Sequence, residues 1–258
     1  MTPPVVHARG VAKRFRDGTE ALAPVDLAVH EGEFVAVVGP SGCGKTTLLN
    51  LLAGLARPTA GTLLWWGAPR PDADRSRRFG YVFQSPTLMP WADIATNVLL
   101  PLDLSGAPRA EAERAVAEAL ALVALDGFAG HLPRELSGGM QMRASIARAL
   151  VTRPALLLMD EPFAALDDFT RQRLDDELLA VWRARRFAVV FVTHNVAEAV
   201  YLSTRVLVMG PRPGRFVDEV AVDAPWPRGD DFRTTTAFAA LARRVTRAVA
   251  AAAAGDAH

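Results

Sequence analysis

Phe34-Val35-Ala36-Val37-Val38-Gly39-Pro40-Ser41-Gly42-Cys43-Gly44-Lys45-Thr46-Thr47-Leu48-Leu49-Asn50-Leu51-Leu52 is the stretch on which the fold turns. An apolar run leads into a glycine-rich turn, and a helical apolar pattern follows. The turn reads G-x-x-x-x-G-K-[ST] from Gly39 to Thr46. Glycines at 39, 42 and 44 permit backbone angles that side chains forbid, so successive N–H groups can point into one concavity. The helix that starts there adds unpaired N–H groups and the positive end of its dipole. The result is a socket for a polyphosphate, built from Gly39, Pro40, Ser41, Gly42, Cys43, Gly44, Lys45, Thr46 and Thr47. Lys45 is placed to reach the β- and γ-phosphates, and Thr46 to offer its hydroxyl to Mg²⁺. A plain turn between strand and helix is the competing reading, and it does not require this spacing.

The chain has 258 residues, half of them hydrophobic, enough for one large α/β domain or two small ones. Its formal net charge is +1, so no global field favours nucleic acid or an anionic membrane, and no nucleic-acid partner is expected. Cys43 is the single cysteine, which excludes an internal disulfide and fits a reducing compartment. Met1 to His7 lacks the pattern of a secretory signal. No apolar run approaches the roughly 18 residues that span a bilayer. Ala248 to Ala254 is too short and too weakly apolar, and reads as a helical or frayed tail. A protein that reaches a membrane only through a partner is the expectation.

Outward from the phosphate loop, strand and helix signals alternate. Strand-like runs lie at Val5–Val11, Val25–Val29, Thr62–Trp66 and Phe79–Phe83, the last two separated by a charged loop over Pro69 to Arg78. Ser85 to Asn97 reads as a mixed loop. Pro108 to Leu125 and Gly139 to Thr152 read as helices, so residues 85–152 form a helical insert. The fully apolar run Ala155–Met159 suits a strand covered on both faces. A helix over Asp168–Arg185, a strand over Phe187–Val192, a short helix over Val196–Tyr201 and strands over Arg205–Met209 and Phe216–Val222 complete an α/β doubly wound pattern.

Two further stretches carry chemistry. The apolar run ending in Met159 is followed by Asp160-Glu161. An acid there can hold Mg²⁺, and a second can orient and deprotonate a water. Asp160 is assigned to the metal and Glu161 to the base. Leu136-Ser137-Gly138-Gly139-Met140-Gln141 opens a helix and forms a second candidate oxyanion site. One nucleotide cannot easily use both. A head-to-tail dimer, in which each Ser137 turn closes over the partner's nucleotide, is the simplest solution; a helix cap is the plainer one.

These stretches, with Gln84, Ala165-Leu166-Asp167 and His194, occur in the order found in ATP-binding-cassette (ABC) ATPases, which the chain resembles from about residue 5 to 210. Ser137 lies 23 residues before Asp160, a spacing that separates this chain from P-loop kinases and GTPases. The resemblance implies a P-loop NTPase fold of the ABC-ATPase type. It has a mixed or parallel sheet core, an antiparallel N-terminal β subdomain and an inserted helical subdomain at about 85–152. The ATPase domain then spans 1–225, followed by a tail over 226–258. It further implies that ATP and Mg²⁺ are bound. Phe15 would stack on adenine, Gln84 touch Mg²⁺ and the attacking water, Asp167 cross the dimer interface and His194 face the γ-phosphate. Ser137, Gly138, Gly139 and Gln141 would reach ATP in trans. Three positions depart from the pattern: Asn195 where an acid is common, Met142 where a polar residue is usual, and Ala164 in place of a serine.

Leu88-Met89-Pro90-Trp91 is unusually apolar for a loop and marks an interface, or else a cover for the following helix. In the family this region receives a membrane permease, with Leu88, Met89 and Trp91 as contacts. Together with Tyr201–Val206 and Pro211–Arg215 it resembles the importer ATPases for nitrate, sulfonate and taurine, and their bicarbonate and pyrimidine-precursor relatives. After Met209 only 49 residues remain, too few for the extra β-domain of sugar-importer ATPases. The implied partners are a second copy of the chain, permease subunits and, indirectly, a periplasmic or lipid-anchored solute-binding protein. The implied place is the cytoplasmic face of the inner membrane. An exporter or lipid-trafficking cassette, and a soluble ATPase of DNA repair, are the alternatives. The latter would need heptads or paired cysteines, which the sequence lacks.

Overall fold

The computed structural model describes residues 3–69 and 79–254. Most of the charged loop read over Pro69 to Arg78 lies outside the described residues. In chain order the elements are β1 (Val6–Arg14), β2 (Glu20–Val29), β3 (Phe34–Val38), α1 (Lys45–Leu52), β4 (Ala60–Trp65), β5 (Phe79–Val82), α2 (Ile94–Leu104) and α3 (Arg109–Leu122). Then follow α4 (Gly138–Leu150), β6 (Leu156–Asp160), α5 (Asp168–Arg185), β7 (Ala188–Val192), α6 (Val196–Leu202), β8 (Arg205–Met209), β9 (Phe216–Ala221), α7 (Asp230–Arg233) and α8 (Thr236–Ala254). The chain divides into two compact units, one from Met1–Pro71 with Ala188–His258, the other from Asp72–Phe187.

In the first unit β2, β1 and β4 form an antiparallel sheet, with Val6 opposite both Val29 and Trp65. A second group is built on β3, which pairs in parallel with β7 on one side and β8 on the other. All five residues of β3 and of β7 are buried, as the continuous apolar runs require of strands covered on both faces. β9 closes the edge antiparallel to β8, so the sheet is mixed. Leu48, Leu49, Leu51 and Leu52 bury the inner face of α1. The tail read as helical or frayed is a helix over Thr236–Ala254. It packs on α6, β8 and β9 and buries Phe238 and Val245.

In the second unit β5 and β6 are parallel neighbours, with Phe79 opposite Leu156 and Val82 opposite Met159. The helices α2, α3 and α4 lie between them in sequence and pack on one another. They run from Ile94 to Leu150, inside the stretch 85–152 read as a helical insert. Its start differs from the expectation: Ser85 to Asn97 is not all loop, because α2 begins at Ile94. Asp93 caps it, its Oδ1 accepting the Thr96 N–H at 2.7 Å. Ile94, Asn97 and Val98 then face inward. A buried asparagine in the apolar stripe hid the helical period.

Candidate functional site

The phosphate loop leaves the carboxyl end of β3. Gly42 and Gly44 take φ of 76° and 106°, angles that favour glycine. Gly44 precedes α1 with no side-chain cap on the helix. The Lys45 ammonium is buried and donates to the carbonyls of Gly39 at 3.0 Å and Pro40 at 3.1 Å. Thr46 is exposed at the same helix start and Cys43 is buried. β7 and β8 flank β3 in parallel, so the loops that follow them leave the same edge.

One of these loops carries His194, which is exposed. Its backbone is braced: the Asn195 N–H donates to Thr193 Oγ1 at 3.0 Å, and the Thr193 hydroxyl donates to the buried Glu198 carboxylate. Asn195 Oδ1 accepts the N–H groups of Ala197 at 2.9 Å and Glu198 at 3.2 Å, capping α6. The departure at 195 thus supplies a cap that an acid can also supply. The other loop, Pro211–Arg215, braces the phosphate loop itself. Arg212 Nε donates to the Gly42 carbonyl at 3.3 Å. A Cβ built on Gly214 falls 2.0 Å from the Cys43 carbonyl oxygen, so only glycine fits. Nothing in the motif announces this contact; Gly214 in a Pro- and Arg-rich loop was its only signal.

Phe15 sits at the turn between β1 and β2, 47% exposed, with the Lys13 ammonium 5.5 Å from its ring centre. It lines a cavity of about 430 Å³ with Arg14, Glu20, Leu22 and Thr59. An exposed ring beside a cavity can stack on a planar base. Nearby, the Asp17 carboxyl is held below the usual carboxylate range, chiefly by the Thr19 N–H and hydroxyl, with a small contribution from Arg212.

In the second unit β5 and β6 are parallel, so Gln84 and the Asp160-Glu161 pair leave the same edge. Asp160 is 8% exposed. Glu161 has φ 45°, a left-handed angle that costs a non-glycine residue roughly 1–2 kcal/mol and aims its side chain differently from a strand residue. Burial pushes the Tyr81 phenol well above its ordinary range, and the charge of Asp160 pushes it further.

The Ser137 turn and the Asp167 loop also meet in this unit. A Cβ on Gly139 would stand 2.8 Å from Thr170 Cγ2. Ser137 Oγ accepts the Met140 N–H at 3.3 Å and caps α4. Asp167 Oδ1 accepts the Thr170 N–H at 3.0 Å, its Oδ2 accepts the Thr170 hydroxyl at 2.7 Å, and these bonds hold its carboxyl below the usual range. Gln141 Nε2 donates to the carbonyls of Pro133 at 3.0 Å and Leu136 at 3.1 Å, so its amide braces the turn from behind. Arg143 joins α4 to Glu177 of α5 at 2.8 Å.

The apolar loop after Gln84 is held from two sides. Asn97 takes the Met89 N–H at 2.7 Å and gives its amide to the carbonyls of Met89, Ala92 and Asp93. Arg148 of α4 donates to the carbonyls of Pro86 and Thr87, each at 2.9 Å. Trp91 stands 78% exposed, so it does not cover α3; Leu88 and Met89 are half-buried. A groove of about 690 Å³ lined by Tyr81, Phe83, Leu100, Leu104 and Arg148 belongs to the same unit. Sequence reasoning missed Asn97 and Arg148, because polar residues inside helical stripes give no periodic signal.

A strand, an anion-binding turn and a lysine at a helix start define a protein that binds nucleoside triphosphates. Residues 22–164 match the family described as ABC transporter. An ABC transporter ATP-binding protein of Methanocaldococcus jannaschii is 47% identical over 88% of this chain and 83% of its own. A taurine import ATP-binding protein of Rhizobium johnstonii is 45% identical over 82% of this chain and 80% of its own. Among solved structures, a dimeric ATP-binding cassette in a post-hydrolysis state, bound to ADP and phosphate, superposes with a TM-score of 0.74. It is 33% identical, over 85% of this chain and 100% of that one. The chain belongs to the ABC transporter family, and it is the ATP-binding, ATP-hydrolysing subunit of a transporter. No helix among the described residues is long and apolar enough to cross a membrane.

Proposed function

We propose that this chain drives the import of a small solute, a sulfonate such as taurine or a related compound such as nitrate, through a membrane permease. The observation that carries the reading is the 45% identity to a taurine import ATP-binding protein over most of both chains. The exposed Trp91 on a loop pinned directly after Gln84 supports it, because a permease docked there would feel the loop that senses the nucleotide. The chain then works as a peripheral subunit on the cytoplasmic face, with a solute-binding protein delivering cargo on the far side. Leu88, Met89 and Trp91 are the permease contacts.

ATP is held by backbone N–H groups of the loop from Gly39 to Thr47, Pro40 having none, with Lys45 on the β- and γ-phosphates and Phe15 on the adenine. Thr46, Gln84 and Asp160 offer hydroxyl, amide and carboxylate oxygens, the hard donors that suit Mg²⁺. Mg²⁺ held by these groups would neutralise charge on the phosphates. Glu161 takes the proton of the attacking water, and His194 donates a hydrogen bond to the γ-phosphate while its loop is held by Thr193 and Glu198. The Ser137, Gly138 and Gly139 turn of a second copy closes the site, with Asp167 at the interface between copies.

The test is ATP-driven uptake into membrane vesicles holding the chain with its permease and binding protein, supplied in turn with labelled taurine, an alkanesulfonate and nitrate. Uptake of one of them, lost in Glu161→Gln while ATP binding persists, is the expected result. Export, or hydrolysis by Glu161→Gln within about threefold of the parent, would refute the reading.

A further inference from the structure

Arg228 is a buried cation outside the motifs. It is 5% exposed, in a segment over Asp223 to Thr236 that is rich in Pro, Asp and Arg. Its hydrogen bonds run to backbone carbonyls: Nη1 donates to Val200 at 3.2 Å, Tyr201 at 2.9 Å and Ser203 at 2.7 Å, and Nη2 to Val222 at 3.0 Å. Three of these carbonyls close the C-terminal end of α6, where a cation also meets the negative end of the helix dipole. The Tyr201 hydroxyl donates back to the Arg228 carbonyl at 3.1 Å. Trp226 covers the guanidinium, its ring centre 3.8 Å away. Burial lowers the guanidinium to about 10, so it stays charged at neutral pH.

The helix so clamped is short. Val196–Leu202 makes two turns, and its opposite end is the Asn195 cap that follows His194 directly. Ala199, Val200, Tyr201 and Leu202 are buried, and α6 packs on β3, the strand that feeds the phosphate loop. A two-turn helix is too short to be held by its own hydrogen bonds. Its position is set by what grips its ends: Thr193, Asn195 and Glu198 at one, Arg228 at the other.

We infer that Arg228 is a positioning residue for ATP hydrolysis, holding α6 so that the His194 loop stands ready at the phosphate loop and tying that loop to the C-terminal segment after β9. The inference rests on the reading of His194 as the γ-phosphate donor. A misplacement of about 1 Å at a catalytic group can cost a hundredfold in rate, so a clamp two turns away has leverage.

The test uses the full-length protein with Mg-ATP and compares Arg228→Met, Arg228→Lys, His194→Ala, the double variant His194→Ala/Arg228→Met, and Val245→Ala. The last opens space under α8 and serves as a control for loosened packing. For Arg228→Met the expected result is a kcat lower by about tenfold or more with KM within about threefold. Amide exchange should quicken over residues 195–203. Arg228→Lys should recover most of the loss, because an ammonium still supplies three donors. The double variant should be no slower than His194→Ala. Parental kcat in Arg228→Met, an equal loss in Val245→Ala, or multiplying losses in the double variant would each overturn the inference. Parental kcat in His194→Ala would instead refute the role of His194, and with it the route proposed for Arg228. If Arg228→Met does not fold, Arg228→Gln decides in its place: a kcat lower by about tenfold or more at KM within about threefold supports the clamp, and parental kinetics overturn it.

Discussion

Gly214→Ala tests whether the phosphate loop is braced from outside its own motif. A Cβ on Gly214 would lie 2.0 Å from the Cys43 carbonyl oxygen and 3.1 Å from the Met209 sulfur. An ordinary carbon–oxygen contact is over 3 Å, so the two must part by roughly 1 Å. Gly214 cannot retreat freely: its carbonyl accepts the Ala23 N–H at 2.9 Å, and its own N–H donates to Ala21 at 3.1 Å. The movement therefore falls on the Cys43-Gly44 peptide, whose N–H is proposed for the phosphate cradle. Overpacking of this kind costs about 1–3 kcal/mol. If about 2 kcal/mol of it opposes the nucleotide-binding conformation, ATP affinity drops roughly thirtyfold. Gly42→Ala is the control. There φ is 76° but a Cβ meets nothing nearer than the Arg212 guanidinium at 4.0 Å, so the penalty is only the roughly 1–2 kcal/mol of the left-handed angle. Equilibrium binding of a fluorescent ATP analogue, with thermal melting of both variants, reads the two effects. Binding by Gly214→Ala within about twofold of the parent, at unchanged Tm, would show that the brace gives way and the reasoning fails.

Ser137→Arg should leave nucleotide binding intact and stop hydrolysis, while mixing it with Lys45→Ala protein restores partial activity through one intact composite site; no rescue at any ratio would count against the head-to-tail dimer. Trp91→Ala should keep basal ATPase and weaken permease association by roughly tenfold or more, as loss of an exposed aromatic anchor does. Undiminished pull-down of the permease would remove Trp91 from the interface.

The phosphate loop, the Asp160-Glu161 strand end and the Ser137 turn stood out as candidates because the chemistry proposed for them demands particular residues at fixed spacing. Strands β3 and β7 were legible because burial on both faces leaves only apolar residues. What the sequence hid depends on contacts between distant segments. The unit that holds the phosphate loop combines residues before 72 with residues after 187, and the pairing of β3 with β7 and β8 has no local signature. The start of α2 was hidden by Asn97, which is buried to bind the backbone of the Met89 loop and so breaks the apolar stripe. The burial of Arg228 has no local signature, because four carbonyls from two stretches, 200–203 and 222, had to be folded around it before burial was possible. A buried ionic group is invisible to patterning in proportion to how well its partners are dispersed.

The phosphate loop is braced through its carbonyls. Lys45 engages the carbonyls of Gly39 and Pro40, Arg212 engages that of Gly42, and Gly214 packs against that of Cys43. In a trans peptide the carbonyl and the next residue's N–H point opposite ways. Holding the carbonyls of Pro40 and Cys43 therefore also sets the direction of the Ser41 and Gly44 N–H groups, while the Cys43 N–H donates to the Pro40 carbonyl at 3.4 Å and tightens the turn. The motif supplies glycines that can adopt such a loop; the surrounding chain selects the conformation before any phosphate arrives. Binding then avoids the ordering cost that a free glycine-rich loop would incur, roughly 1–2 kcal/mol for each residue fixed. On this argument the loop after β8 is as much a part of the phosphate site as the helix after β3, although only the second carries a recognisable motif.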